Sequence, residues 1–483
     1  MLEKITPRYQ ALILLLIWGA LLLTGGLLRF DAYGIDEAAA RALLLVWSVV
    51  DRVINPIFVL GLPDLRALLF APVGIYWPGS IIAAKVFTAL ICFAGILMCV
   101  RHYHRDNKEA ALISAGLLLI APLTLTQINS IGAGPFLLLG FCLGMWLDQA
   151  HRRGQRPLGG WFFIQILLIA IMTSIHPLAL AYPLALFIEW YKNPVDHRQQ
   201  RHMFIGIGIA VIFTLLIRGG WGDIAWLNNP LSVLSAVIWG GQGSFESITT
   251  SGSLIALLLA IILFFNFKKL FQDLLGRMFI LTVIPGLLYA NSSWAFITLA
   301  LLLLTGSQNL LAANSKMGSQ SFVGQRGLTM IILFITAVLF MQGDKFQQQS
   351  IASNLLTPED ALIQSLALDL EDINNDNILI MSQWPGRTML AVRRPVLPLP
   401  PDFPDSATLL SNIKGTTHIL FDPLTPDNKV LGSHLANLTA VSETLYMEQG
   451  GVIIGINTRQ PAKKSTADSG SQTQDSTPNT PLN

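Results

Sequence analysis

RFDAYGIDEAAARALLLVWSVVDR, residues 29–52, decides how the rest of the chain is read. Its centre, AAARALLLVWSVV at 38–50, is apolar, and counting it as a membrane span would reverse the direction of everything after it. It is about as long as a re-entrant or interfacial segment, whereas a crossing helix needs about 20 apolar residues. It contains Arg41 and is bounded by Asp36, Glu37, Asp51 and Arg52. This predicts an amphipathic helix lying on the outer leaflet, with 64–76 as a second one.

Outward from this loop, apolar runs at 11–28, 79–100, 110–127, 130–148, 161–176, 178–191, 203–218, 253–267, 278–290, 292–306 and 328–341 predict about eleven transmembrane helices. The loops give their direction, because Lys and Arg stay on the cytoplasmic side. With Lys4 and Arg8 inside, the inner loops carry Arg101, Arg105 and Lys108, then Arg152, Arg153 and Arg156, then Lys192, Arg198 and Arg201. Lys268, Lys269 and Arg277 follow, then Lys316 and Arg326. The intervening connections are nearly bare of basic residues. The expectation is a cytoplasmic N-terminus, with 29–78, 219–252 and everything after about 342 outside. MLEKITPRYQ has no small-residue cleavage site after it and reads as the lead into an uncleaved first span.

Composition agrees with a lipid solvent. Of 483 residues, 52% are hydrophobic and only 12% charged, with a mean hydropathy of +0.56. Ordinary soluble domains carry about 25% charged residues. The net charge of +2 offers no basic field for phosphate backbones, which argues against nucleic acid as a partner. Cys92, Cys99 and Cys142 fall inside apolar runs and read as small core residues, not ligands or disulfides.

After 341 the pattern changes. Thr357 and Pro358 open an amphipathic helix over 358–371. ILIMS at 378–382, HILFD at 418–422 and VIIGI at 452–456 read as buried strands, and the proline-rich 395–404 as a loop. The predicted fold class is thus an α-helical polytopic membrane protein (1–341) with a small external α/β domain (342–460) and a disordered tail (461–483).

Chemistry concentrates in the first outer loop. The pair Asp36–Glu37 stands just beyond the first span, where a carboxylate can deprotonate a hydroxyl at the membrane surface. Acids also favour a helix N-terminus, so the pair equally well opens the 38–50 helix. His176, in TSIHPLALAYP, is an ionisable group near an outer turn, where packing competes with function. Gln127 and Asn129 read as residues of a tight turn. The loop 219–252 carries Trp221, Trp226 and Trp239, which suit an interface, with Asp223 and Glu246 beside them. There is no phosphate-binding loop, H-E-x-x-H or dinucleotide fingerprint.

IDEAAAR at 35–41, GLPDL at 61–65 and GSIIAAK at 79–85 follow one another in an order that resembles the GT-C glycosyltransferases. The resemblance is to the protein O-mannosyltransferase and aminoarabinose-transferase branch. The many-span topology with an outer C-terminal domain is similar as well. The chain departs from that family's double proline with Pro63–Asp64, and has Lys85 where Arg is usual. The resemblance implies a lipid bilayer protein that moves sugar from a polyprenyl phosphate, with no organic cofactor and with the acceptor and any divalent metal undefined. Asp36 is then the base and Glu37 its partner. The leaving lipid phosphate calls for cations, for which Arg66, Lys85 and Arg218 are candidates, with His176 nearby. Long cationic side chains at such depths also simply snorkel to the headgroups. Two other classes remain in view: a lipid-linked glycan transporter, which needs mid-membrane charges and discontinuous spans in matching halves, and a scaffold whose external domain binds a partner.

Overall fold

The computed structural model describes residues 26–51, 66–103, 108–152, 158–192, 274–286, 292–313, 319–354, 356–371, 378–399, 405–413, 415–423, 428–436, 442–448 and 451–456, with parts of 13–22 and 204–212. The run at 253–267, most of 203–218, Arg218, the loop 219–252, GLPDL at 61–65 and the tail 461–483 lie outside the described residues.

Two helices come first, α1 (Glu37–Asp51) and α2 (Arg66–Tyr76). A helical bundle follows: α3 (Ile81–Tyr103), α4 (Lys108–Leu119), α5 (Pro122–Asn129), α6 (Gly134–Arg152), α7 (Leu158–Ile175), α8 (Ala181–Lys192), α9 (Leu274–Gly286), α10 (Ser292–Ala313) and α11 (Ser319–Ala352). Within the described residues, Ile81–Arg101 is long and apolar enough to cross a membrane by itself, and α4 with α5 passes as a pair bent by 55°. Ile82, Val86 and Leu90 leave an exposed apolar stripe along α3. Its inner side closes on α6, where a Cβ on Gly95 would lie 3.1 Å from the Leu139 backbone nitrogen. Trp190 fills the bundle interior and donates Nε1–H to Asp148 Oδ1 at 3.0 Å.

The bend corrects the reading of 110–127 as one continuous span. Pro122 has no N–H to extend α4 and instead opens α5 at its first turn. Side chains bridge the break. Thr124 Oγ1–H reaches Leu118 O at 2.5 Å, while Thr126 Oγ1–H and Gln347 Nε2–H reach Pro122 O at 3.1 and 2.9 Å. Helix α5 then runs to Asn129, so Gln127 and Asn129 are helical, not turn residues. The reversal is made by Ile131, fully buried at φ 55°, a left-handed conformation uncommon for a β-branched residue.

Helices α1 and α2 lie close to the bounds predicted for the two surface helices; one face of each packs on protein, while Val49, Leu68, Ile75 and Tyr76 stay exposed. Ala39, Ala40, Leu43 and Trp47 of α1 are buried in one cluster with Ala67, Phe70 and Val73 of α2 and with residues of the C-terminal domain. Burial of each large apolar side chain contributes about 1.5–3 kcal/mol.

Helix α11 continues past 341 to Ala352, and the C-terminal domain is strung from there: α12 (Pro358–Glu371), β1 (Ile380–Ser382), α13 (Pro385–Val392), β2 (Val396–Pro398), α14 (Ser406–Asn412), β3 (His418–Phe421), α15 (Lys429–Ala436), β4 (Ser442–Glu448) and β5 (Gly451–Ile456). The sheet order is β2-β1-β3-β5-β4. β1 pairs parallel with β2 and β3, and β5 pairs antiparallel with β3 and β4. The three apolar runs became the inner strands β1, β3 and β5. The stretch read as a loop at 395–404 contains β2, an edge strand, where proline is tolerated because one side needs no N–H.

Candidate functional site

Asp36 is the residue before α1. Its N–H donates to Ser130 O at 2.8 Å, and its own carbonyl accepts from Ala40 N at 2.9 Å, so the turn after α5 and the start of α1 fix each other. The Asp36 carboxylate lies 3.5 Å from Arg66 Nη1, with the aspartate side chain 49% exposed and the arginine 2%. The same Nη1 reaches Ile131 O at 3.4 Å, the carbonyl that the left-handed backbone presents. The candidate base is thus a half-open carboxylate backed by a buried cation.

Glu37 has a different setting. Its Oε1 accepts from Arg41 Nε and from Gly386 N, each at 2.8 Å, and Oε2 accepts from Arg387 N at 2.9 Å. Both oxygens therefore bind the exposed amides at the N-terminus of α13, the place where a carboxylate is most stabilising. Gly386 makes room for this. A Cβ there would lie 2.9 Å from both Glu37 Oε1 and Arg41 Cγ.

A second polar set lies upstream. Lys85 is buried and donates Nζ–H to the carbonyls of Arg29 at 2.8 Å and Asp31 at 3.1 Å. Arg29 pairs with Asp31 at 2.9 Å and donates to Asn354 Oδ1 at 3.0 Å. Asn129 holds the same strand, accepting from Arg29 N and donating to Leu27 O, each at 2.8 Å. Asp360, buried at the start of α12, accepts from Gly34 N at 3.0 Å and from Arg387 Nη2 at 2.5 Å. Burial, followed by the Asp31 and Asp360 carboxylates, pushes the Tyr33 phenol above its usual range.

An open cleft of about 520 Å³ runs between these parts, lined by Arg29, Ser130, Gln347, Thr357 and Asp360 among others. It borders Asp36 through Ser130; Asp36, Lys85 and His176 are not among its lining residues. Half-buried His176 caps the short turn Pro177–Leu180, its Nδ1 accepting from Leu178 N at 3.2 Å. So the structure joins Asp36 to Arg66, sets Glu37 against the C-terminal domain and Lys85 beneath the loop, and leaves His176 in its own turn. Among the described residues no group of three or more His, Cys, Asp or Glu stands ready to hold a metal. Asp31, Asp360 and Arg387 were not singled out in the sequence; only the proximity of Arg29 and Asp31 in RFD hinted at them.

No family model and no curated protein matches this sequence. The fold does have solved counterparts. ArnT from Cupriavidus metallidurans in the apo state aligns with a TM-score of 0.53 and 12% identity over 92% of this chain and 98% of that one. ArnT from the same organism bound to undecaprenyl phosphate aligns with a TM-score of 0.53 and 13% identity over 91% and 97%. The likeness is one of fold, end to end in both chains.

Proposed function

We propose that this chain is a membrane glycosyltransferase of GT-C type that moves a sugar from a polyprenyl-phosphate donor to an acceptor at the outer face of the inner membrane. In this reading the N-terminus is cytoplasmic and the C-terminal domain periplasmic. The observation that carries it is Asp36: a half-exposed carboxylate fixed by Ser130 and backed by buried Arg66. The fold it shares with ArnT, a GT-C glycosyltransferase, supports the class. That one ArnT structure holds undecaprenyl phosphate supports a lipid-linked donor.

Asp36 takes the proton of the acceptor hydroxyl as that oxygen bonds to the sugar's anomeric carbon. The bond from that carbon to the phosphate oxygen breaks, and the electron pair leaves with the lipid phosphate. Arg66 holds Asp36 in place. Lys85, Arg66 and Arg218 supply positive charge that favours the departing phosphate.

The test is Asp36→Asn, because Asn caps a helix about as well as Asp but accepts no proton. The readout is release of undecaprenyl phosphate from a panel of undecaprenyl-phosphate-linked pentoses and hexoses, with cell-envelope material as acceptor and a chelator arm for any metal requirement. A loss of several orders of magnitude with normal expression is expected. Full turnover in Asp36→Asn would remove Asp36 as the base; an Asp36→Ala protein that folds and still supports the cellular phenotype would favour the scaffold reading, for which the Glu37 contact with the C-terminal domain is the supporting observation.

A further inference from the structure

We propose that Glu37 is a positioning residue, the clamp through which the external domain sets the place of Asp36. This rests on the transferase reading above. Asp36 touches the bundle through Ser130 and Arg66. Its flanks touch the external domain instead. Two residues before it, Gly34 N–H is held by Asp360 of α12. One residue after it, Glu37 holds the first amides of α13. Arg387 joins the two clamps, since its backbone binds Glu37 while its side chain binds Asp360.

The far end of α13 is tied down as well. Arg393 adopts a left-handed backbone at φ 57°, stacks its guanidinium 5.2 Å from the centre of the Trp47 ring in α1, and donates to Gly79 O at 3.2 Å. Helix α13 therefore lies along α1 with a fastening at each end, and both apolar faces share one buried cluster. A domain merely tethered by α11 would need none of these contacts. Seated this way, it brackets the candidate base on both sides, and its displacement moves the base relative to Arg66 and the substrates.

Gly386 gives the decisive variant, because it faces α1 at Glu37 and Arg41 and does not meet Asp36 itself. A side chain there meets the Glu37 carboxylate and the Arg41 stem. In the full-length protein in nanodiscs, Gly386→Val is expected to raise amide exchange over residues 34–41. It should also lower kcat on the order of a hundredfold, the usual penalty for about 1 Å of misplacement. Donor KM should change little, since donor binding does not need the base. Glu37→Ala should do the same, Glu37→Gln should retain intermediate turnover, and Glu37→Ala combined with Gly386→Val should be no worse than either alone. Thermal unfolding of each variant separates misplacement from failure to fold. Unchanged exchange and turnover in Gly386→Val, or losses that multiply in the double variant, would overturn the clamp. Full turnover in Asp36→Asn would instead overturn Asp36 as the base, and the positioned base with it, whatever the exchange data show; no donor turnover in the unmodified protein would overturn the transferase reading itself.

Discussion

Lys85 Nζ lies 2.8 Å from the carbonyl oxygen of Arg29, beneath the segment that precedes α1 and cut off from solvent. With Asp31 O as its second partner, the ammonium acts first as a tie between α3 and the strand that leads to Asp36. Lys85→Met keeps the stem and removes both bonds, and hydrogen bonds to a charged group contribute about 1.5–3 kcal/mol each. A lower Tm in detergent is expected, larger in free energy than any change in donor KM. An unchanged Tm with a raised donor KM would show direct phosphate contact instead.

Gln127 governs the turn on which Asp36 hangs. Its Oε1 accepts from Gly134 N and Ser293 Oγ, each at 3.0 Å, and the whole side chain is buried. Gln127→Leu leaves two buried donors without a partner, at about 1–3 kcal/mol apiece. Ser293→Ala removes only one donor and leaves the Gly134 bond intact. Thermal unfolding should therefore rank Gln127→Leu well below Ser293→Ala, and equal Tm values would show that the turn does not depend on this amide.

The difference between what was legible and what was not follows the range of the interactions. α12, β1, β3 and β5 carry their signal locally, as an N-terminal Thr-Pro or a run of Ile, Leu and Val. β2 (VLP) and β4 (SETLYME) are edge strands with mixed faces, so no apolar run announces them. Asp36 was visible because a carboxylate next to a span stands out on a membrane chain. The partners of Glu37 were not, since Gly386 and Arg387 lie some 350 positions away in sequence and a glycine chosen for space carries no charge or pattern. Gln127 and Asn129 read as turn residues for the same reason: their polarity was plain, but their partners Gly134, Ser293 and Leu27 are a matter of packing.

His418 gives the C-terminal domain a pH dependence. Burial lowers its imidazole below the usual range, with Asp369 pulling weakly the other way. As pH falls through about 6.5, the unfolded chain takes up a proton that the folded domain still refuses. Stability from this group is therefore complete above that pH and is lost below it, down to the folded value. Amide exchange across β3, corrected for its intrinsic pH dependence, should show protection falling in mild acid. His418→Asn should flatten that fall. A fall of the same size in His418→Asn would assign it to other groups.

Gly74 sets how closely α2 lies on α1, and hence where Arg66, two turns earlier on α2, meets Asp36. A Cβ on Gly74 would sit 1.9 Å from Val46 Cγ1, too close for any rotamer adjustment of the valine to absorb in full. Gly74→Ala must push the helices apart, and overpacking of this kind costs about 1–3 kcal/mol. If the spacing of the pair is what matters, shaving the opposing side chain should restore it. Val46→Ala by itself leaves a gap and destabilises, yet in the Gly74→Ala background it should recover most of the lost Tm and of the lost turnover. Two neighbours in contact should thus show strong non-additivity. Additive losses in Tm and turnover would mean that α2 is placed by other contacts, such as Phe70 against Phe136 with ring centres 5.4 Å apart, and that the Arg66–Asp36 pair does not depend on this crossing.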